Sequence, residues 1–116
     1  MKNKITELSV KKEIIEYLNY RRFFVWNNRN TGLYNVKQEK WIPAPQRGIS
    51  DILGMTPMGR FVAIEVKKPE FKKDGTLVNE PTKFQLDFLE NVVEHGGIGI
   101  VVSSLDECTE KLDKLM

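Results

Sequence analysis

Three ionisable residues stand in stretches that otherwise read as apolar strand. Asp51 lies in G-I-S-D-I-L-G, and Glu65 and Lys67 lie in G-R-F-V-A-I-E-V-K, with the turn-forming Thr56-Pro57-Met58-Gly59 between the two runs. Strand interiors are poor in Asp, Glu and Lys, and burying an unpaired charge is costly, so two carboxylates and an ammonium placed there point to joint use. Side chains alternate along a strand, so Glu65 and Lys67 project to one side and Val66 to the other. If the two runs pair as a hairpin, the carboxylates of Asp51 and Glu65 can lie side by side near one edge of a sheet. Carboxylates that close repel unless a cation sits between them or one takes a proton. Oxygen ligands of this kind suit Mg²⁺ or Mn²⁺, with the backbone carbonyl of Val66 as a further ligand. Such an ion could activate a water and neutralise charge developing on a phosphate, while Lys67 orients the attacking group or stabilises the phosphorus centre. Taken singly, each residue reads as an ordinary ion pair or a solvated strand end. The combination points to phosphodiester hydrolysis.

Positioning these groups requires two paired strands and elements that close around them. The pattern predicts strands over 49–55 and 60–67, the second ended by Pro69. Residues 5–19 fit an amphipathic helix with Thr6 as N-cap, because Val10, Ile14, Tyr17 and Leu18 recur at three- and four-residue spacing. Glu7 falls on that stripe with Lys11, Ile14 and Leu18, whereas Glu13 and Glu16 fall opposite, so Glu7 is the acid expected to face the body of the domain. A second helix is expected over 82–95, with Phe84, Phe88, Leu89, Val92 and Val93 apolar, a capping box formed by Thr82 and Gln85, and Gly96-Gly97 as its stop. Residues 22–27 read as a strand with Trp26 in the core, 98–102 as a short strand buried on both faces, and 105–115 as a short acidic helix. Pro43 and Pro45 interrupt the segment 28–47, which is either a short hairpin (33–36 with 40–42) or a long loop. Asp74-Gly75 marks a turn in the polar stretch after Pro69. The order is α-β-β-β-α-β-α, an α/β domain.

At 116 residues the chain is expected to be one domain, 1–116, with a core of its own. Its single cysteine, Cys108, excludes an internal disulfide and a cysteine-built zinc site, which fits a reducing, cytoplasmic setting. The start lacks the apolar core of a secretory signal, and no run approaches the roughly 18 apolar residues of a membrane helix, so no membrane partner is expected. Net charge is only +2, but its distribution is uneven. Residues 20–50 carry six Lys/Arg against one acid, a balance of +5, and residues 84–116 carry two Lys against seven acids, a balance of −5. Such asymmetry suits one face that meets an anion and one that looks away from it.

Asp51 in G-I-S-D-I and Glu65-Val66-Lys67 in A-I-E-V-K-K-P resemble the site of the PD-(D/E)XK nuclease superfamily, and the order of elements matches that restriction-endonuclease-like core, a mixed central sheet flanked by helices. Within the superfamily, G-I-S-D-I-L-G, G-R-F-V-A-I-E-V-K, Gln85 and H-G-G-I-G-I-V-V-S-S together are similar to the VRR-NUC family of virus-type replication-repair nucleases, over nearly the whole chain. The resemblance implies a stand-alone, Holliday-junction-resolvase-like enzyme, a homodimer cutting branched DNA in a bacterium or in a phage's host. It implies Asp51 and Glu65 as metal ligands, Lys67 as the catalytic lysine, Gln85 as the glutamine of the following helix and Glu7 as the acid of the first helix, with Glu13 as the alternative. Ser50 stands where the superfamily has proline. Gln85 could also simply reach back to its own helix cap, and the two roles are partly compatible.

Arg29, Lys37, Lys40, Arg47, Lys68, Lys72 and Lys73 are candidates for the DNA backbone, where each contact positions the duplex and makes binding salt-sensitive. Trp41 and Tyr34 are candidates for stacking at a branch point or for a dimer contact. His95 is expected to be a helix C-terminal residue and Cys108 to be inert. No phosphate-cradling P-loop or serine nucleophile elbow is present. Two other functions share the fold: a non-catalytic nucleic-acid-binding or dimerisation module, and a sequence-specific restriction-type nuclease.

Overall fold

The computed structural model describes residues 6–28, 33–42 and 48–116. Its elements are α1 (Glu7–Tyr20), β1 (Phe24–Asn27), β2 (Leu33–Asn35), β3 (Lys40–Ile42), β4 (Ile52–Met55), β5 (Phe61–Val66), α2 (Lys83–Glu94), β6 (Ile98–Val102) and α3 (Leu105–Leu115). Four strands form one mixed sheet in the order β1-β4-β5-β6, antiparallel from β1 to β5 and parallel between β5 and β6. Without the β2–β3 hairpin, which makes a sheet of its own, the order is the expected α-β-β-β-α-β-α, compatible with a restriction-endonuclease-like core. Among the described residues no helix is long and apolar enough to cross a membrane.

The two faces of the sheet are covered unequally. On one, Val10, Ile14 and Leu18 of α1 and Cys108 and Leu112 of α3 pack against Val25, Ile52, Val62, Ile64, Val66, Ile98, Ile100 and Val102. With about 1.5–3 kcal/mol for each fully buried large aliphatic side chain, this layer carries most of the hydrophobic stabilisation. On the other face α2 buries only Leu89 and Val92 against Ala63, with Leu53, Phe88 and Val101 partly buried around them. Gly99 makes that contact close: a Cβ there would lie 2.8 Å from the Leu89 carbonyl oxygen. Phe84 and Val93, expected on the buried stripe of α2, are half-exposed, because the helix crosses only the β5–β6 half of the sheet.

The same geometry corrects the placement of Trp26, which is 41% exposed rather than in the core. It lies on edge strand β1, beyond the reach of α2, and its ring tilts against Phe24 at 5.4 Å between centroids. The expected strand 22–27 begins two residues late for a local reason. Arg22 takes a left-handed conformation (φ 71°), and the Arg22 and Phe23 N–H groups donate to Asn19 and Leu18 carbonyls at 3.1 and 2.9 Å, a Schellman ending of α1. Asn19 also clamps the open edge of β1, donating to the Val25 carbonyl (3.2 Å) and accepting from the Val25 N–H (3.1 Å). β6 is buried at Ile98, Ile100 and Val102 and half-buried at Gly99 and Val101, so it is covered less evenly than a strand enclosed on both faces.

Candidate active site

Asp51 is placed by its backbone before its side chain does anything. The β4–β5 register pairs Ile52 with Ile64, and one further step puts Asp51 opposite Glu65, where directly opposed side chains share a face. On the β1 side the Asn28 N–H donates to the Asp51 carbonyl at 2.7 Å, and on the β5 side the Val66 N–H donates to Asp51 Oδ2 at 2.9 Å. The carboxylate thus replaces a rung of the ladder and is locked beside the strand that carries Glu65 and Lys67. Gly48, at φ +80°, lies directly against α2; a Cβ there would fall 2.3 Å from the Phe84 carbonyl carbon. Ser50 is fully buried, and among the described residues its Oγ has no hydrogen-bond partner.

Glu65 is 1% exposed. Its Oε1 accepts from Gln85 Nε2 at 2.9 Å, while its Oε2 is buried and unpartnered. Burial first, and then the charge of Asp51, push the Glu65 carboxyl up to about 8, against a smaller opposing pull from Lys67. Glu65 therefore favours its protonated form near neutral pH unless a cation offsets the two carboxylates. Gln85 makes the expected helix cap and at the same time reaches Glu65. Its Oε1 accepts from the Thr82 N–H (2.8 Å), its own N–H donates to Thr82 Oγ1 (3.2 Å), and its amide nitrogen is left to face Glu65. The capping box fixes which end of the amide meets the carboxylate.

Glu7 reaches the same end of the sheet, as the helical stripe predicts, and the alternative, Glu13, is exposed on the far side. Glu7 Oε1 accepts from the Lys68 N–H (3.1 Å) and from Asn79 Nδ2 (2.6 Å), and Asn79 also donates to the Lys68 carbonyl. Burial pushes the Glu7 carboxyl up, but the Asn79 and Lys68 hydrogen bonds and the charges of Lys67 and Lys11 outweigh it and hold the group below its ordinary value. Lys67 itself is half-buried, its N–H donating to the Val102 carbonyl (2.9 Å), and a cleft lined by Lys67, Asn79, Leu86, Ser103 and Lys111 opens beside it.

Two further contributors carry little signal in the sequence. Lys11 Nζ lies 3.6 Å from Asp51 Oδ1, with both side chains about one-fifth exposed (21% and 22%). Asn79 ties α1 to the segment after β5. Lys11 stood on the apolar stripe beside Glu7, which was its one signal; Asn79 lies in polar loop text and gave none.

Of the remaining candidates, Lys37 and Lys40 are exposed on the β2–β3 hairpin, Lys72 and Lys73 are exposed beside the expected Asp74-Gly75 turn, and Lys68 is half-buried next to Lys67. Trp41 pairs with Tyr34 across that hairpin through the backbone, and Arg29 and Arg47 lie outside the described residues. His95 caps the end of α2, its Nδ1 at 2.7 Å from the Asn91 carbonyl. Cys108 is buried, and burial followed by the charge of Glu107 raises its thiol to about 12, so it stays protonated and unreactive.

No protein-family model matches this chain, and comparison with curated proteins and with solved structures returned no match. Assignment of the site therefore rests on its geometry. Among the described residues no three Asp, Glu, His or Cys side chains are grouped to hold a metal ion. The Asp51–Glu65 pair nevertheless fits a hard divalent cation of the Mg²⁺ type, which binds through one or two carboxylates and keeps several waters for exchange with substrate oxygens. A buried carboxylate oxygen with no donor, facing a second carboxylate, is the feature such an ion would satisfy.

Proposed function

We propose that this chain is a divalent-metal-dependent endodeoxyribonuclease of the PD-(D/E)XK type, similar to the VRR-NUC family, that hydrolyses phosphodiester bonds in branched DNA. The observation that carries the reading is the buried Oε2 of Glu65, unpartnered among the described residues, beside Asp51 and two positions before Lys67 at the end of β5. Asp51, Glu65 and the Val66 carbonyl would hold Mg²⁺ or Mn²⁺, which supplies Lewis acidity toward a water and a phosphate oxygen.

The chain's own residues supply position and charge. Gln85 orients Glu65 from the first turn of α2, leaving Oε2 as the free ligand atom. Lys67, a compact ammonium on a flexible stem, reaches the scissile phosphate and offsets the charge that builds there. Glu7 is a positioning residue: through the Lys68 N–H and Asn79 it holds the chain just beyond Lys67 against α1. Lys68, Lys72 and Lys73, from the segment after β5, with Lys37, Lys40, Arg29, Arg47 and Trp41 from the segment before β4, would meet the DNA backbone and the branch point. The cytoplasmic setting belongs to the same reading.

A second copy is the expected partner, and the face it would cover is the part of the sheet that α2 leaves open. Phe24, Trp26, Met55 and Phe61 are exposed there in adjacent register positions, Phe24 by 64%. Their uncovered area is on the order of 400 Å², the size of patch that marks interaction sites and about half of one partner's share in a standard interface. Asn19 blocks the backbone of β1 at Val25, which favours face-to-face over edge-to-edge association.

The test is incubation with a four-way junction, a flap and a linear duplex in Mg²⁺, Mn²⁺ or EDTA. Metal-dependent products from the branched substrates are expected. Binding without any metal-dependent product would favour the non-catalytic module, and discrete fragments from plasmid DNA would favour a restriction-type nuclease.

A further inference from the structure

We propose that Lys11 is a built-in counter-ion that holds Asp51 while the site lacks a divalent cation and moves to Glu7 when one binds, which makes it a residue that sets metal affinity. The inference rests on the reading of Asp51 and Glu65 as metal ligands. Asp51 has two oxygens, and Oδ2 is committed to the Val66 N–H. Oδ1 is the oxygen more open to a ligand, and Lys11 Nζ already lies 3.6 Å from it. An ammonium and a divalent cation cannot share that oxygen without strong repulsion in a partly buried site. Lys11 must therefore leave as the ion arrives.

It has somewhere to go. Glu7 lies one turn earlier on the same face of α1, at the i, i+4 spacing and in the Glu-before-Lys order that favours a helical ion pair. The Lys11 charge already acts on Glu7. Lys11 emerges from the edge of α1 between Leu8 and Ile15, so its head can swing while its stem stays packed. The device keeps a carboxylate-rich site intact in the metal-free protein and lowers its affinity for metal.

Mn²⁺ binding, followed by the loss of the free-ion electron paramagnetic resonance signal, tests this without any cleavage. Wild type, Lys11→Met, Lys11→Arg and Lys12→Met are compared. Methionine keeps the apolar stem, arginine keeps the charge, and Lys12→Met makes the same net-charge change at an exposed neighbour. Lys11→Met should bind Mn²⁺ roughly tenfold tighter or more, with Lys11→Arg and Lys12→Met close to wild type. Unchanged or weaker binding by Lys11→Met, with wild type still binding, overturns the counter-ion role and leaves the metal-site reading standing. Equal tightening in Lys11→Met and Lys12→Met reduces the effect to net charge and also overturns it. Absence of Mn²⁺ binding in every protein overturns both.

Discussion

With Oε1 satisfied by Gln85 and Oε2 buried against Asp51, Glu65 is easier to protonate than to ionise in the metal-free protein. Its carboxyl sits at about 8 in the fold against 4.5 in the unfolded chain, so between those values the native state binds the extra proton. Stability from this group is then greatest below about pH 4.5, declines as pH rises, and levels off above about pH 8. Denaturant melts in EDTA across that range should show the decline, and Glu65→Gln should flatten it; an identical slope in the variant would remove Glu65 as its cause. Gln85→Ala loses a cap partner and the donor to Glu65 together, so it should cost about 1–2 kcal/mol in a chemical melt and also weaken Mn²⁺ binding. A purely capping role would lower stability alone. Asp51, Glu65 and Lys67 were legible in the sequence because charge is out of place in strand text. Lys11 was not, because a lysine on a helix surface is ordinary and its partner is forty positions away.

At the scale of elements, caps were the most readable features. Thr6 and Thr82 open α1 and α2 as expected, and each closes a capping box. β1 begins later than its pattern suggests because the left-handed residue that closes α1 is Arg22 rather than glycine. Arg22→Gly removes a left-handed penalty of about 1 kcal/mol and should raise the melting temperature by a few degrees; a lower one would mean that the Arg22 side chain stabilises the corner. Gly48 carries the opposite lesson. Its contact with the Phe84 backbone joins the segment leading to Asp51 to the helix that carries Gln85, a long-range approach invisible to local pattern. Gly48→Ala should separate the two and weaken Mn²⁺ binding more than it lowers the melting temperature. A change in stability alone would show that the approach serves packing only.

For the molecule as a whole, the sheet's two faces divide the work. The α1–α3 side is a continuous apolar core, and the α2 side is thin enough to admit a buried carboxylate and leave four large apolar residues uncovered. Periodicity showed which residues were apolar but not that α2 would stop short of β1, so Trp26 was misread as core. Light scattering should find a two-chain species that Phe24→Glu converts to monomer; wild-type monomer at every concentration would contradict the use of this face. The central claim is most directly tested by metal-dependent cleavage of a four-way junction by wild type, Asp51→Asn and Lys67→Ala prepared in parallel. Wild type should cut in Mg²⁺ or Mn²⁺ and not in EDTA, with both variants slower by at least roughly a hundredfold while still binding the junction. Wild-type cutting by either variant, or no cutting by wild type, would contradict the account.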